Sequence, residues 1–312
     1  MQAQLYCYHD SGSIRNDSNA MKSNLLLLLT AVIWGFAFVA QRAGMEYLGP
    51  FTFNTARFTL GSFSLIPLLL INQKKKFEKE KFLPLNDKNL LYGGLAAGTV
   101  LFLGATFQQG GLVYTEAGKA GFITGFYVIL VPILGLFVKQ KTSLLTWLGA
   151  MVATVGLYFL SLNETFEVNI GDVLVLIGAF FWAIQILVIG FYSTKVDPFQ
   201  LAFTQFVVCA VLSFFAALIS ETIVLQNFAN AYLPILYAGI FSVGIAFTIQ
   251  VVAQREAHPA NAAIIMSLEA VFAVLGGWLI LNESIPMRGL FGCLLMLIGM
   301  ILSQLYLFKS KT

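Results

Sequence analysis

Ten stretches of this sequence are apolar for long enough to cross a lipid bilayer. A membrane-spanning helix needs about 20 mostly apolar residues to cross a hydrocarbon core about 30 Å thick. The ten windows of this kind are 23–43, 51–71, 90–114, 118–138, 143–162, 171–191, 199–219, 231–254, 260–281 and 286–308. Only 11% of the residues are charged, whereas soluble domains average about 25%, and so much apolar sequence excludes a disordered chain. The sequence therefore predicts an all-α integral membrane protein with ten transmembrane helices.

The basic residues are distributed unevenly between the two sides of the predicted membrane. With a cytoplasmic N-terminus, 14 of the 18 Lys and Arg residues fall on the cytoplasmic side and Arg57 falls within the second span, which leaves Arg42, Lys119 and Arg288 outside. Positive residues concentrate in the cytoplasmic loops of membrane proteins. We therefore expect a multi-pass protein of the cell inner (plasma) membrane with both termini in the cytoplasm. The lysines of 74–81 alternate with glutamates, which indicates a solvated loop rather than a nucleic-acid site.

The first 20 residues are polar and irregular, and we expect a cytoplasmic segment at 1–20. Met21 could instead be the start of a shorter product. In a third interpretation, Lys22 and the apolar run after it form a signal peptide that is cleaved near Ala40. That interpretation is disfavoured because polar residues directly after Ala40 end a helix of full span length. Cleavage there would also leave nine spans, and the basic residues would no longer fit the expected concentration on the cytoplasmic side.

The two halves of the sequence resemble each other in the order and spacing of short motifs. The matched pairs are Trp34…Pro50-Phe51 with Trp182…Pro198-Phe199, Glu116-Ala117 with Glu256-Ala257, and Gly149…Gly156 with Gly292…Gly299. The predicted repeats are 21–162 and 163–312, with five spans each. Because five is an odd number, the second repeat must enter the membrane from the opposite side and is inverted. Inverted repeats place a substrate site near the midplane between them, so this arrangement predicts a transporter.

Several motifs also carry a resemblance to a known family. They are 30–35, 50–58, 118–132, 147–156, Trp182, 267–269 and 281–283. In their order and duplication the chain resembles the EamA-type, ten-helix permeases of the drug/metabolite transporter superfamily, over about 21–307. The resemblance implies two sets of five helices, cytoplasmic termini, and the export or exchange of small metabolites, notably amino acids, aromatic compounds, amines and nucleosides.

Two departures from the family pattern affect the expected helices. The Glu-Pro pair that is usual in the ninth helix reads Glu269-Ala270 here, which removes an expected kink. The Glu that commonly closes the fourth helix is absent, and Lys139-Gln140-Lys141 occupies that region. We therefore predict a ninth helix without the proline kink.

Two ionisable side chains fall inside predicted spans, where a central charge costs about 2.5–3.5 kcal/mol on insertion scales. Arg57 shares a helical face with Asn54 and Gly61. It could hold a substrate carboxylate in its planar guanidinium fork, or it could snorkel or tie helices together through carbonyls. Glu269 could be a proton-coupling site, or the counter-charge of Arg57 or of a cationic substrate. The alternative for Glu269 is close helix packing, since small residues share its face.

Aromatic and amide side chains mark the middle of several spans. Trp34 and Trp182 arrive near the midplane from opposite sides, Phe38 extends the face of Trp34, and Gln185 extends the face of Trp182. Aromatic walls with a few amides suit flat or amphipathic solutes by stacking, and amines by cation–π attraction; the alternative is that both Trp side chains are packing wedges. Further candidates, for which interhelical hydrogen bonds are the alternative explanation, are Gln108, Tyr127 and Gln205.

These observations together predict a secondary transporter that moves a small organic metabolite across the cytoplasmic membrane. The expected solute is an amino acid, an aromatic compound or an amine, exported by alternating access, with protons as a candidate coupling ion. The alternatives are an importer or exchanger of another solute class such as nucleosides, or a lipid-handling membrane protein. The sequence does not favour an enzyme, because it offers no nucleophile with a base and no metal-ligand cluster. We expect no cofactor, metal or nucleic-acid partner, and the oligomeric state stays open.

Overall fold

A computed structural model describes residues 17–77, 88–161, 169–282 and 287–309. Within these ranges the chain is helical apart from short turns and contains no strand. The prediction of an all-α membrane protein is confirmed. Residues 1–16 of the expected N-terminal segment and the end of the Lys-rich stretch, from 78 onwards, lie outside the described residues.

The helices are numbered α1 to α14 in chain order, and one π-helical segment lies between α10 and α11. Their bounds are α1 Asp17–Gly44, α2 Pro50–Phe77, α3 Lys88–Gly111, α4 Ala117–Thr124, α5 Tyr127–Phe137, α6 Leu144–Ser161, α7 Ile170–Tyr192, α8 Pro198–Ser220, α9 Leu225–Asn230, α10 Tyr232–Leu236, the π-helical segment Tyr237–Phe247, α11 Thr248–Gln254, α12 Pro259–Met266, α13 Glu269–Leu281 and α14 Met287–Lys309.

Eight of the ten predicted windows are helices long and apolar enough to cross a membrane. They are Ala20–Gly44, Pro50–Asn72, Lys88–Gly111, Ala117–Phe137, Ile170–Tyr192, Pro198–Ser220, Tyr232–Gln254 and Pro259–Leu281. The fifth and tenth windows correspond to the shorter apolar helices Leu144–Phe159 and Met287–Ser303. The helices that contain them, α6 and α14, have 18 and 23 residues, which at 1.5 Å per residue is about 27 and 35 Å, close to a hydrocarbon core about 30 Å thick.

Two of the spans are broken near their middle. The fourth span consists of α4 and α5, which meet at Gly125-Phe126, and the ninth consists of α12 and α13, which meet at Ser267-Leu268. At both breaks the backbone tightens in the same way: Phe126 N–H bonds to Ile123 O at 3.2 Å, and Leu268 N–H bonds to Ile265 O at 3.2 Å. Such three-residue bonds are typical of a local 3₁₀ turn.

The expectation that the ninth helix lacks a kink, because Ala270 replaces the usual proline, is wrong. The break occurs directly before Glu269. The Ser267 hydroxyl donates to Ile264 O at 2.8 Å, so the Ile264 carbonyl beside the break has a hydrogen-bond partner. The helix breaks here although residue 270 is alanine. Interrupted helices are tolerated at membrane depth where they are buried in protein or line a cavity.

The described helices pack in a small number of long pairs. The helix α2 packs against α8, α3 against α7 and α8, α1 against α13 and the π-helical segment, α4 against α13, and α6 against α14. In the last pair the two backbones touch: a Cβ atom at Gly149 would lie 2.6 Å from Gly299 O, and one at Gly156 would lie 2.7 Å from Gly292 O. Small residues at helix contacts are typical of membrane proteins, in which close van der Waals packing holds helices together.

Candidate functional site

A cavity lies where the two broken helices approach α1, α2, α3, α7 and the eighth span. The non-atom space among its side chains, including space open to solvent, is about 420 Å³. Its lining residues are Trp34, Phe38, Gln41, Arg57, Gln108, Thr124, Tyr127, Trp182, Gln185, Ile186, Ser242, Phe247, Gln250 and Glu269.

The structure brings together eight of the nine site residues that were predicted from the sequence. Trp34, Phe38, Arg57, Gln108, Tyr127, Trp182, Gln185 and Glu269 all line the cavity. The ninth, Gln205, does not line it but accepts a hydrogen bond from Gln185 Nε2 at 3.4 Å. Gln205 therefore belongs to the layer of side chains behind the cavity wall.

Three aromatic rings form one wall of the cavity. Phe247 lies 4.5 Å from Trp34 and 5.7 Å from Trp182 between ring centroids. Both indole N–H groups are bonded, since Trp34 donates to Ser242 O at 3.4 Å and Trp182 donates to Gln108 Oε1 at 2.7 Å. The rings are therefore held in place and offer their faces to a bound molecule at little further ordering cost.

Phe247 is the most important lining residue that was not predicted. It is one of 29 phenylalanines and ends the π-helical segment Tyr237–Phe247. A π-helix shifts the faces that follow it relative to an α-helix. Phe247 lies three residues before Gln250, which also lines the cavity, so α-helical spacing from that glutamine could have placed it. The Ser242 carbonyl lies inside the π-helical segment, where α-helical spacing gave no such signal.

Amide side chains close the cavity above and below the aromatic wall. Towards the end of the bundle at which α2 and α7 begin, Gln108 Nε2 donates to Gln41 Oε1 at 3.2 Å. On the opposite side, Gln250 Nε2 donates to Gln185 Oε1 at 2.9 Å. The alternative role expected for such residues, interhelical hydrogen bonding, is therefore present together with a place on the cavity wall.

Arg57 is 2% exposed and points into the protein rather than snorkelling to an interface. Its Nε donates to Asn54 Oδ1 at 2.9 Å, and its guanidinium carbon lies 4.8 Å from the centroid of Phe58. Its Nη2 atom and the Asn54 Nδ2 atom have no hydrogen-bond partner among the described residues. The guanidinium therefore keeps unused donors beside the cavity.

Glu269 is 3% exposed and is the first residue of α13. Its Oε1 atom has no partner in the described ranges. The Tyr127 hydroxyl, on the first residue of α5, lies near the Glu269 carboxyl, although no hydrogen bond of ordinary geometry joins them. The positive end of the α13 dipole is favourable for a carboxylate at this position.

The structure distinguishes two of the alternative roles for Glu269. The ion pair with Arg57 is not formed: no salt bridge joins the two side chains, both of which lie in the described part of the chain. Close helix packing is present, because a Cβ atom at Gly35 would lie 2.8 Å from Glu269 O and one at Gly121 would lie 2.6 Å from Ala273 Cβ. The Glu269 backbone thus serves a helix contact while its side chain reaches the cavity.

Two carboxylates link the halves of the chain at the end where α2 and α7 begin. Asp172 bonds the Lys119 ammonium at 2.7 Å and the Thr115 hydroxyl, and it forms a capping box with Asn169 at the start of α7. Lys119, which the charge distribution places on the outer side, is held by this partly buried ion pair.

The second of these carboxylates belongs to Glu221, which follows α8 directly. It accepts hydrogen bonds from the Phe51 and Thr52 backbone N–H groups, each at 2.8 Å, and from the Thr52 hydroxyl at 2.6 Å. The first backbone N–H groups of a helix have no intrahelical partner and attract anions. Glu221 therefore holds the start of α2, the helix that carries Arg57.

The chain is similar to known proteins in sequence and in fold. The sequence model of the EamA-like transporter family matches residues 21–162 and 169–305. A protein of Archaeoglobus fulgidus named as an uncharacterized transporter is 35% identical over 91% of this chain and 86% of its own length. The Bacillus subtilis protein named uncharacterized transporter YoaV is 22% identical over 93% of this chain and 99% of its own. A solved crystal structure aligns with a TM-score of 0.73 at 16% identity, over 94% of this chain and 99% of its own, a likeness of fold alone.

Proposed function

Because the chain belongs to the EamA-like transporter family of the drug/metabolite transporter superfamily, we propose that it exports a small organic solute by alternating access. The family is one of transporters and not of enzymes. The solute class that we propose is an amino acid, an aromatic compound or an amine. The membrane is the cytoplasmic membrane, with both chain termini on the cytoplasmic side, in keeping with the concentration of basic residues there.

The observation that carries this proposal is the cavity at the two helix breaks. It combines an aromatic wall of Trp34, Phe247 and Trp182 with two buried charged side chains, Arg57 and Glu269, that do not pair with each other. Ionisable residues inside membrane proteins that lack a protein partner mark pathways for substrates or ions. Discontinuous membrane helices whose half-helices begin near the midplane recur in secondary transporters.

Reciprocal contacts support the proposed division into inverted repeats, 21–162 and 163–312. Gly149 and Gly156 match Gly292 and Gly299 in the repeat, and Gly149 meets Gly299 while Gly156 meets Gly292. When two copies of one motif are related by a two-fold axis, the first residue of each copy contacts the second residue of the other copy. The breaks at 125–126 and 267–268 share one hydrogen-bond pattern. We propose that these halves rock about the cavity between them.

In this topology, Asp172 and Glu221 close the outer end of the protein. Asp172→Asn is expected to weaken that closure, because the ion pair with Lys119 is lost. In a background without other cysteines, we expect Thr124→Cys on the cavity wall to react at least about threefold faster with a membrane-impermeant maleimide added outside. Glu116→Gln, an exposed carboxylate at the same end, is the matched control. Unchanged labelling in an Asp172→Asn, Glu221→Gln double variant would show that these contacts do not limit opening.

Proton coupling through Glu269 is the second part of the proposal. A buried carboxylate beside the cavity can bind a proton or contact a cationic group of the solute, but it cannot do both at once. Competition between the two would exchange an outgoing solute for an incoming proton. The nearby Tyr127 hydroxyl, which has no hydrogen-bond partner among the described residues, is a group that could donate to the charged carboxylate.

The experiment that tests transport is untargeted metabolite profiling of cells and medium. Cells overproducing the wild-type chain are compared with cells producing Glu269→Gln at matched membrane abundance, with Glu116→Gln as control. The proposal predicts that one solute class accumulates in the medium with the wild type and the control but not with Glu269→Gln. Depletion of a solute from the medium would contradict export and indicate an importer, and a change confined to lipids would indicate a lipid-handling protein.

A further inference from the structure

We propose that Gln108 is a positioning residue for solute recognition, which holds the Trp182 indole at a fixed angle in the cavity wall. Gln108 lies on α3 in the first half of the chain and Trp182 on α7 in the second, so their contact joins the two halves. This inference rests on the proposed transport function and goes beyond it, because it assigns a side chain that acts on the solute through another side chain. It predicts that a change at Gln108 alters recognition only while Trp182 is present.

The hydrogen bond between the two side chains is short and buried. Trp182 Nε1 donates to Gln108 Oε1 at 2.7 Å, below the usual N–H···O distance of about 2.9–3.0 Å. Trp182 is 7% exposed and Gln108 is 5% exposed. Because the indole has one N–H group and no other polar atom, this bond fixes the direction in which the N–H edge of the ring points.

The amide that accepts this bond is itself held in one orientation. Gln108 Nε2 donates to Gln41 Oε1 on α1 at 3.2 Å, and the Thr124 hydroxyl on α4 donates to Gln108 Oε1 at 3.5 Å. If the amide turned over, it would lose the bond to Gln41 and would present N–H groups instead of an acceptor to the indole. Most of the hydrogen-bonding capacity of Gln108 is therefore used inside the protein, which favours a role through Trp182 over direct contact with a solute.

A glycine on each helix allows the ring and the amide to approach this closely. A Cβ atom at Gly104, four residues before Gln108, would lie 3.2 Å from Trp182 Cδ2 and 3.3 Å from Trp182 Cε2. A Cβ atom at Gly178, four residues before Trp182, would lie 3.2 Å from Gln108 N. Residues four apart share a helical face. The indole therefore lies against the backbone of α3 at Gly104, and Gln108 on the same face accepts its N–H.

The corresponding tryptophan in the first half of the chain is held differently. The match between the two Glu-Ala pairs aligns Gln108 with Thr248 in the second half. The buried Thr248 hydroxyl has no hydrogen-bond partner among the described residues, and Trp34 donates instead to the Ser242 backbone carbonyl at 3.4 Å. The close hold on Trp182 is therefore not a packing requirement that both halves share. It belongs to one wall of the cavity, which is consistent with a role in recognition.

The first experiment asks whether Gln108 holds the ring. Full-length protein in which the other three of the four tryptophans are replaced by phenylalanine keeps Trp182 as its single indole. Ultraviolet resonance Raman spectroscopy reports the strength of the indole N–H hydrogen bond, and time-resolved fluorescence anisotropy reports rotation of the ring. We expect Gln108→Met, which has no strong acceptor, to weaken the bond and to raise the amplitude of fast rotation at least about twofold. Gln108→Glu keeps an oxygen acceptor in either protonation state and should retain most of both signals.

The second experiment measures recognition in proteoliposomes, with the solute that metabolite profiling identifies. Gln108→Met should raise the KM about three- to tenfold, because ordering a loose side chain consumes binding energy. The maximal rate should stay within about twofold, since a change in KM alone reports lost binding. Gln108→Glu should keep most of the wild-type KM. In a Trp182→Phe background, which has no indole N–H, Gln108→Met should change the KM less than about twofold, because residues that act through one contact are not additive.

Two glycine variants on α3 test the position of the ring without changing the amide. Gly104→Ala places a methyl group against the indole and should raise the KM in the same direction as Gln108→Met. Gly110→Ala on the same helix is the matched control, since the nearest atom to its Cβ would be Leu174 Cδ1 at 3.9 Å. A general loss of folded protein would lower the maximal rate of a variant and not raise its KM.

Three results would overturn the inference and leave the transport proposal intact. An unchanged Raman band in Gln108→Met would mean that Gln108 does not hold the indole. A changed band with an unchanged KM would mean that the angle of Trp182 does not govern recognition. An equal rise in KM in the Trp182→Phe background would mean that Gln108 contacts the solute directly. If profiling finds no transported solute, the transport proposal itself is refuted, and a role in recognition is refuted with it even where the Raman band shows that the ring is held.

Discussion

Glu269→Gln is expected to reduce solute transport at least about tenfold while leaving the protein folded. The amide has nearly the shape of the carboxyl, and the side chain makes no ion pair in the described structure that the change would break. Removing a charge from the membrane interior also relieves a cost of about 2.5–3.5 kcal/mol on insertion scales. The thermal stability of the variant should therefore equal or exceed that of the wild type.

The measurement uses reconstituted protein with and without a pH gradient across the liposome membrane. If Glu269 couples solute movement to protons, the gradient should accelerate wild-type transport and have no effect on the residual transport of Glu269→Gln. Glu116→Gln and Glu256→Gln, whose carboxyls are exposed, should respond to the gradient like the wild type. Thermal unfolding in detergent, followed in parallel, checks that the variant is folded.

A Glu269→Gln variant that is fully active and still responds to the pH gradient would remove the proton role from this residue. A variant that no longer transports the solute identified by profiling but still responds to the gradient with another solute would show that Glu269 binds the solute and does not couple protons.

The sequence predicted much of the cavity lining because depth in a membrane can be counted along a helix. With a rise of 1.5 Å per residue, Trp34 and Trp182 had to arrive near the middle of the bilayer, and both line the cavity. Charged residues inside an apolar span are rare and conspicuous, which marked Arg57 and Glu269. These predictions depended on positions along single helices and needed no knowledge of how the helices pack.

The features that sequence reasoning missed depend on departures from the regular α-helix. The break before Glu269 was not expected because no proline is present, yet the Ser267 hydroxyl bonds a carbonyl at that point. The Ser242 carbonyl, which accepts a hydrogen bond from Trp34, lies inside a π-helical segment, where α-helical spacing does not predict which residues share a face. The Asp172–Lys119 pair joins residues far apart in the chain, and no local pattern could have connected them.

The contact between α6 and α14 leads to the second prediction with a large expected effect. No lining residue of the cavity comes from either helix in its described range, so the pair contributes to the scaffold rather than to the site. Its backbones touch at Gly149 and Gly299, where each Cβ atom would lie 2.6 Å from the carbonyl oxygen of the other residue. Helices in lipid gain little from burying apolar surface against each other, so packing lost here has no substitute.

A Gly149→Ala, Gly299→Ala double variant should therefore unfold at least about 4 °C below the wild type in detergent, since overpacking costs about 1–3 kcal/mol at each of the two sites and each kcal/mol is equivalent to about 2–4 °C. Gly110→Ala is the matched control, because its nearest neighbour would be Leu174 Cδ1 at 3.9 Å, and its midpoint should stay within about 2 °C of the wild type. Transport per folded molecule should be retained in both variants. A double variant as stable as the control would mean that α6 and α14 separate at no cost, and equal stability with lost transport would move this pair from the scaffold into the transport cycle.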